Sequence, residues 1–434
     1  MEKREILEIL TDWNFWGREL DTGIKREIYL NRLKELSKIN EIVVISGVRR
    51  GGKSTLLLQF CKSMIKGNVD KKDILFINFE DPRFKNLDLE LMNKIYDIYL
   101  TELGPNPEQY VVLDEVQVIA GWEKFARYLH ENKKVHVFIT GSSSKLLSSE
   151  YATVLAGRHV DAKIYPLSFS ESLEFKGIHI KNRVDMVANR HKIKRFLSKY
   201  IKLGGFPKVN LLQREQDKMM VLNTYFMDII IKDVVRRYKV KETEKLEELA
   251  KYYLSNVSSL QSFNKIKNVL NLSLDTVERF SYYLSNAYLL FFVKKFSYSV
   301  KEQILNPKKV YCIDPGLRSA VGFTFSTDLG RMAENIVFTE LKKGDKDIYY
   351  WKDSSQKEVD FLLKVGKKVK QLIQVCWNMD DEETKKREVK SLLKAMEEFK
   401  LKKGLIITED YEKEEKIGNK KIIYKPLWEW LIGG

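Results

Sequence analysis

The sequence predicts an α/β chain that opens with a parallel sheet covered on both faces by helices. Two observations predict it. Short apolar runs at 42–45, 74–79, 110–113, 135–140 and 159–165 alternate with stretches of helical character, the pattern of strands joined by crossover helices. The first run leads straight into a glycine-rich loop, and the loop into a second apolar run at helical spacing.

That loop is the first element to justify. Gly47 and Gly52-Lys53-Ser54 fit the phosphate-binding pattern G-x-x-x-x-G-K-[ST]. Glycines let successive backbone N–H groups turn inward on an anion. The helix expected over 53–63, with Leu56, Leu57, Leu58 and Phe60 as its apolar positions, adds the positive end of its dipole. The Lys53 ammonium can reach the outer phosphates, and the Ser54 hydroxyl can ligate Mg²⁺. Gly47, Arg50, Gly51, Gly52, Lys53, Ser54 and Thr55 are therefore the expected nucleotide contacts.

The second run, 74–79, ends near Asn78, Glu80 and Asp81. The third ends in Asp114-Glu115. A nucleotide site needs a carboxylate for the Mg²⁺ shell, expected of Asp114, and usually a base, expected of Glu115. The fourth run ends at Thr140, followed by Gly141-Ser142-Ser143-Ser144. Thr140 or Ser142 could sit beside the terminal phosphate and report its presence. Both suit a turn or helix cap as well, and Ser144 reads as one of these. Gly157-Arg158 precedes the fifth run. An arginine there lies far from its own loop in a wound sheet and can reach a neighbouring subunit's nucleotide, where it stabilises transition-state charge. A solvated surface arginine is the alternative.

This order, closed by Pro166-Leu167-Ser168-Phe169, resembles the AAA+ superfamily. More narrowly it resembles the archaeal ATPases that carry a winged-helix region and a restriction-endonuclease-like C-terminal domain. Asp12-Trp13-Asn14-Phe15-Trp16-Gly17, Gly204-Gly205-Phe206-Pro207 and Val310-Tyr311-Cys312-Ile313-Asp314-Pro315-Gly316-Leu317 extend the match over nearly the whole chain. The resemblance implies ATP and Mg²⁺ as cofactors. It also implies a P-loop AAA+-like ATPase core with a helical lid, a winged-helix domain and a C-terminal α/β nuclease-like domain. The expected divisions are 1–168 for the N-terminal helices and core, 169–240 for the lid, 241–327 for the winged helix and 328–434 for the nuclease-like domain.

Within these divisions several residues stand out. Trp13, Phe15 and Trp16 suit packing near adenine and equally packing on the core. Residues 169–240 are helical and basic, and end near Arg236 and Arg237, which either contact anions or are simply exposed. In the third division Ser262 and Ser273 each open a helix. The second would be the recognition helix, with Asp275, Thr276 and Arg279 early in it, and 288–293 with Lys294 and Lys295 would form the wing. Winged helices contact either DNA or protein. The last division reads helix, three strands, helix, strand. Active members of the nuclease-like fold need an Asp, then an acid-x-Lys on the next strand. Asp360 fits the first position and Glu334 supplies a helix acid, but Gln374 and Cys376 stand where the acid and lysine belong. Glutamine brings no charge to a hard cation, and cysteine cannot replace an ammonium. The domain therefore reads as inactive unless Lys352 or Lys357 has taken over.

At 434 residues the chain exceeds one core, so two to four domains are expected. Lys and Arg exceed Asp and Glu by 76 to 60, a formal charge of +16. That excess favours nucleic acid as a partner, although Lys/Glu-rich surfaces also mark proteins from hot environments. No apolar run reaches the roughly 18 residues of a membrane span, and Met1-Glu2-Lys3-Arg4-Glu5 lacks the apolar core of a signal peptide. Cys61, Cys312 and Cys376 show no paired spacing and read as reduced core residues of a cytoplasmic protein.

Together these features lead to an Mg²⁺-dependent ATPase that couples nucleotide state to basic C-terminal modules acting on DNA. A nucleotide-switched regulatory protein with protein partners and an ATP-regulated nuclease are the alternatives. An Arg158 acting in trans implies assembly, yet some relatives of this ATPase class work as monomers.

Overall fold

The computed structural model describes residues 1–142, 155, 157–322, 329–344 and 346–433, in two compact units, Met1–Ile164 and Tyr165–Gly434. Ser144, expected as a turn or cap residue, lies outside the described residues. The unit boundary falls ahead of the expected 168. Leu167 donates its N–H to the Gly205 carbonyl at 2.7 Å, and Ser168 caps the helix Phe169–Phe175, so both belong to the second unit.

In the first unit, β1 (Ile42–Gly47), β2 (Ile74–Asn78), β3 (Tyr110–Asp114), β4 (His136–Gly141) and β5 (His159–Ile164) form one parallel sheet of order β2-β3-β4-β1-β5. Strand alternation divides the side chains between two cores. Ile42, Val44, Leu75, Ile77, Val111 and Leu113 face α1 (Lys3–Trp13), α4 (Leu89–Leu103) and α5 (Trp122–Lys133). Val43, Ile45, Phe76, Val112 and Phe138 face α2 (Glu27–Ser37) and α3 (Lys53–Lys66). Helix α3 runs beyond the expected 63 because Met64 and Ile65 still pack on this core; Gly67 ends it.

The aromatics at and just past the end of α1 take the packing role. Trp13 stacks on Phe76 and donates its Nε1–H to Asp81 at 2.9 Å, and Phe15 is buried. Between them, buried Asn14 accepts the Phe76 N–H at 2.7 Å and donates to the Phe76 carbonyl at 2.9 Å. Since β2 is an edge strand, the Asn14 amide acts as a one-residue neighbour that closes part of that edge.

The second unit begins with helices, including Arg190–Leu203, Glu215–Asp228 and the wider-wound Ile229–Val235. Next come helices Phe263–Val269 and Leu274–Asn286 beside an antiparallel sheet of β6 (Ser259–Gln261), β7 (Leu290–Val293) and β8 (Lys308–Cys312), order β6-β8-β7. Ser273 caps its helix as expected. The β7–β8 connection is longer than a simple turn and carries the short helix Val300–Leu305. The remainder is helix Leu329–Lys342, then β9 (Asp347–Lys352), β10 (Glu358–Val365) and β11 (Lys368–Val375), helix Glu382–Glu398, then β12 (Lys403–Thr408), β13 (Lys413–Ile417) and β14 (Lys420–Pro426). The six strands form one sheet, β13-β14-β12-β11-β10-β9. The two last strands and the closing helix Leu427–Gly433 extend the expected order.

Two motifs that carried no assigned chemistry meet here. Buried Asp314 accepts the Gly205 N–H at 2.6 Å and the Gly316 N–H at 2.8 Å. Gly204 has φ +69, and a Cβ there would stand 1.8 Å from Asp314 Oδ1. Gly204→Ala should therefore cost about 3 kcal/mol or more, combining a positive φ with overlap in a packed site. Gly177→Ala, at φ +71 in open space, should cost only the backbone strain, about 1 kcal/mol. Denaturant titration of both variants measures the difference.

Candidate functional site

The parallel register sets Gly47, Asn78, Asp114, Gly141 and Ile164 along one edge of the sheet. In open α/β sheets this carboxyl edge is where ligands bind. The glycine loop leaves β1 there. Gly47 has φ +152, and a Cβ on it would sit 2.1 Å from the Ile164 carbonyl, so β5 forbids any side chain. Arg50 and Gly52 also take positive φ, +65 and +94, before α3 starts at Lys53. Ser54 and Thr55 occupy the first turn of α3, where free backbone N–H groups face any anion.

The side chains converge. Lys53 is buried and its Nζ lies 3.2 Å from the Gly47 carbonyl, 3.3 Å from the Val48 carbonyl and 3.4 Å from Glu115 Oε1. Asp114 is fully buried. Thr140 donates its hydroxyl to Asp114 Oδ1 at 2.5 Å and accepts the Glu115 N–H at 2.9 Å, so one side chain positions both acids. Asp114 Oδ2 is buried without a hydrogen-bond partner. Burial, then the Glu115 charge, pushes Asp114 up to about 7, against the opposing pull of Thr140, Ser54 and Lys53. Burial also opposes ionisation of Glu115, but Lys53, Gln117 and Arg49 outweigh it and hold Glu115 below its ordinary range. Glu115 adopts φ +52, uncommon for a side chain of its size, and so carries backbone strain of the kind found at active sites. The unspent Asp114 oxygen beside the Ser54 hydroxyl suits a hard dication, and the Lys53 ammonium suits the anion that would accompany it.

Arg158 lies elsewhere. Its carbonyl accepts the Ile42 N–H at 3.0 Å, at the start of β1, whereas the loop follows the end of that strand. Roughly 16 Å of strand separates the two ends. Its guanidinium pairs with Glu131 on α5. Sequence reading missed Arg26, which is buried and donates to the Gly51 carbonyl at 3.1 Å. It also missed Gln59, whose amide binds the Thr22 and Ile24 carbonyls at 2.7 Å and so pins that segment to α3. A lone polar residue on an otherwise apolar helix face was the available signal for Gln59.

In the second unit Glu334 and Asp360 meet as the sequence suggested, and Glu358 joins them. The lysine among them is neither of the expected ones. Lys309 of β8 is buried, with Nζ 2.6 Å from Asp360 Oδ1 and 2.9 Å from both Glu334 Oε1 and Glu358 Oε1. Among the described acids Lys352 pairs with Glu358, at 3.4 Å. Tyr311 donates to Glu334 at 2.6 Å. Gln374 accepts the Asp360 N–H at 3.1 Å and donates to Glu388, and burial pushes the Cys376 thiol up to about 11. Burial alone would lower Lys309, but Asp360, Glu334 and Glu358 hold it well above its ordinary range. Burial and then Asp360 push Glu334 up to about 8. Lys309 was missed because it comes from a strand outside the division that holds the acids.

Comparison with known proteins identifies the N-terminal domain. Residues 39–173 match the AAA domain family, and residues 194–329 and 329–430 match two domains of unknown function, DUF8612 and DUF4143. The uncharacterized protein MJ1544 of Methanocaldococcus jannaschii is 36% identical over 424 residues, 94% of this chain and 92% of its own length. An uncharacterized protein of Haemophilus influenzae is 31% identical over 418 residues, 94% of this chain and 98% of its own. Among solved structures, the Walker-type ATPase PABY2304 of Pyrococcus abyssi aligns over 68% of this chain and 95% of its own, with 15% identity and a TM-score of 0.41. The chain thus belongs to one family with the M. jannaschii and H. influenzae proteins, and its N-terminal portion is an AAA domain.

Proposed function

We propose that the protein is an Mg²⁺-dependent ATPase whose nucleotide state is passed to its C-terminal modules, which act on DNA. The observation that carries the ATPase reading is the unspent, buried Asp114 Oδ2 beside Ser54 and the Lys53–Glu115 pair. Asp114 and Ser54 hold the metal shell. The metal, when bound, draws charge from the phosphate oxygens. Lys53 leaves Glu115 for the outer phosphates, and Gly47, Arg50, Gly51, Gly52 and Thr55 complete the cradle. Glu115, so released, orients and deprotonates the attacking water, while Thr140 keeps both acids in place. Arg158, at the far end of β1, is assigned to a neighbouring subunit's nucleotide. Mg²⁺-dependent ATP hydrolysis by the purified full chain, lost in Lys53→Ala and Glu115→Gln, is the test.

The DNA reading rests on the +16 charge and on a helix pair beside a small antiparallel sheet, the layout of a winged helix. Thr276 is half of the Ser273 cap, and Arg279 is tied to Asp275 at 2.7 Å, so little of the second helix's first turn remains for reading bases. Backbone contacts by lysines such as Lys294 and Lys295 then dominate. Binding to duplex DNA should be sequence-tolerant, and log affinity should fall steeply and linearly with log salt in a gel shift. No duplex bound at low salt would remove this reading. One observation favours a protein partner instead: Val300, Ile304 and Leu305, on one short helix, are 67%, 60% and 71% exposed.

A further inference from the structure

A cavity of about 300 Å³ opens in the helical part of the second unit, between helices Arg190–Leu203 and Glu215–Asp228. Gly204 of the locked Gly204-Gly205 turn forms part of its wall, with Phe196 and Tyr200 beside it. Three lysines line it: Lys176 just past Phe169–Phe175, Lys199 and Lys218. No carboxylate is among its lining residues. Glu215 acts on Lys199 and Lys218 from outside the lining and is itself paired with Lys202. Among the described residues the three ammonium groups make no ion pair or hydrogen bond with one another's neighbours.

Lys176 and Lys218 are half-buried and Lys199 is exposed, so the three charges face one cavity that is open to water. Burial and then Lys199 pull Lys176 below its ordinary range, and burial followed by Lys176 and Lys199 does the same to Lys218. Like charges facing one cavity repel, and a dianion between them would turn each repulsion into an attraction. The wall is firm, because Asp314 fixes Gly204 and Gly205 from behind. The volume matches the lower end of small-molecule sites, about 300–1,000 Å³.

We propose that this cavity binds a small phosphorylated ligand, with the three lysines gripping a terminal phosphate or diphosphate. A terminal phosphate or a diphosphate supplies the two or more charges that three lysines call for, whereas a backbone phosphodiester supplies one. The site is separate from the glycine loop, and its occupancy does not depend on the ATPase reading. It also gives the Gly204-Gly205-Phe206-Pro207 motif a role as the stiff wall of a binding pocket.

Inorganic pyrophosphate is the probe, titrated calorimetrically into the full-length protein. Lys53→Ala removes the loop as a competing site and should leave one pyrophosphate site. In that background Lys176→Met and Lys218→Met should each weaken binding roughly ten- to hundredfold, the scale of one charge-assisted hydrogen bond. Neither should lower the melting temperature, since each relieves repulsion. Pyrophosphate should raise the melting temperature of the Lys53→Ala protein and not that of the lysine variants. Absence of a site in Lys53→Ala, or binding indifferent to both Lys176→Met and Lys218→Met, overturns the proposal. So does loss of duplex DNA binding with no pyrophosphate site, which would make the lysines a polynucleotide track.

Discussion

Glu115→Gln should leave ATP bound while turnover falls by roughly 10²–10⁴-fold, the range contributed by a positioned general base. The reason lies in the geometry. Glutamine keeps the shape of the side chain and can still face Gln117, but it cannot accept a proton from water. Burial does not stop Glu115 from ionising, because Lys53, Gln117 and Arg49 keep its carboxylate charged. The base is therefore ready at neutral pH. Lys53→Ala should fail differently, at binding, since the buried ammonium at the loop is gone and Glu115 is left without its 3.4 Å partner. Equilibrium binding of a fluorescent ATP analogue and steady-state phosphate release separate the two. Normal turnover in Glu115→Gln would show that another group activates the water.

Lys309→Met should destabilise the second unit by about 3–5 kcal/mol, the cost of stripping one partner from a buried ion cluster. Methionine fills similar volume, so the loss is electrostatic rather than a cavity. Glu334 and Asp360 would then lose their cation, and Glu358 would keep Lys352 at 3.4 Å. The deficit should depend on pH. Glu334 titrates at about 8 when folded against 4.5 ordinarily, so its protonated form favours folding. That contribution is complete below 4.5 and gone above 8. Without Lys309 the acids repel more strongly still, so the variant should fall furthest behind the parent near pH 8 and recover towards pH 5. Asp360→Asn added to Lys309→Met should restore part of the loss, giving a coupling a purely steric effect would lack. Urea titrations at both pH values measure it. Equal deficits at the two pH values would contradict the electrostatic account.

The sheet strands and the phosphate loop were legible because each is written locally. Five apolar runs, each ended by a loop, need no partner to be seen, and the pattern Gly47 to Ser54 spans eight consecutive residues. The order of β2, β3, β4, β1 and β5 was not legible in this way, because right-handed crossovers limit the topologies without selecting one. What escaped reading depends on residues far apart in the chain. Lys309 and Asp360 are 51 residues apart, and Gly205 and Asp314 are 109 apart. No periodicity links them; each looks ordinary in its own neighbourhood. Glu334 and Asp360 could be paired from the sequence only through resemblance, and that route supplied the wrong lysines, Lys352 and Lys357. Thr140 stood between a sensing role and a turn; its hydroxyl holds both site acids, which a strand pattern alone does not show.

Asn14 bears on the order in which the chain is made. A polypeptide leaves the ribosome from its N-terminus, and early segments fold first. Asn14 emerges 62 residues ahead of Phe76, so the amide that shields the β2 margin exists before the strand it shields. A nascent sheet with an open margin can capture a strand from a neighbouring chain on the same message. Here the margin can be occupied from within as soon as it appears, and crowding during synthesis has one fewer foothold.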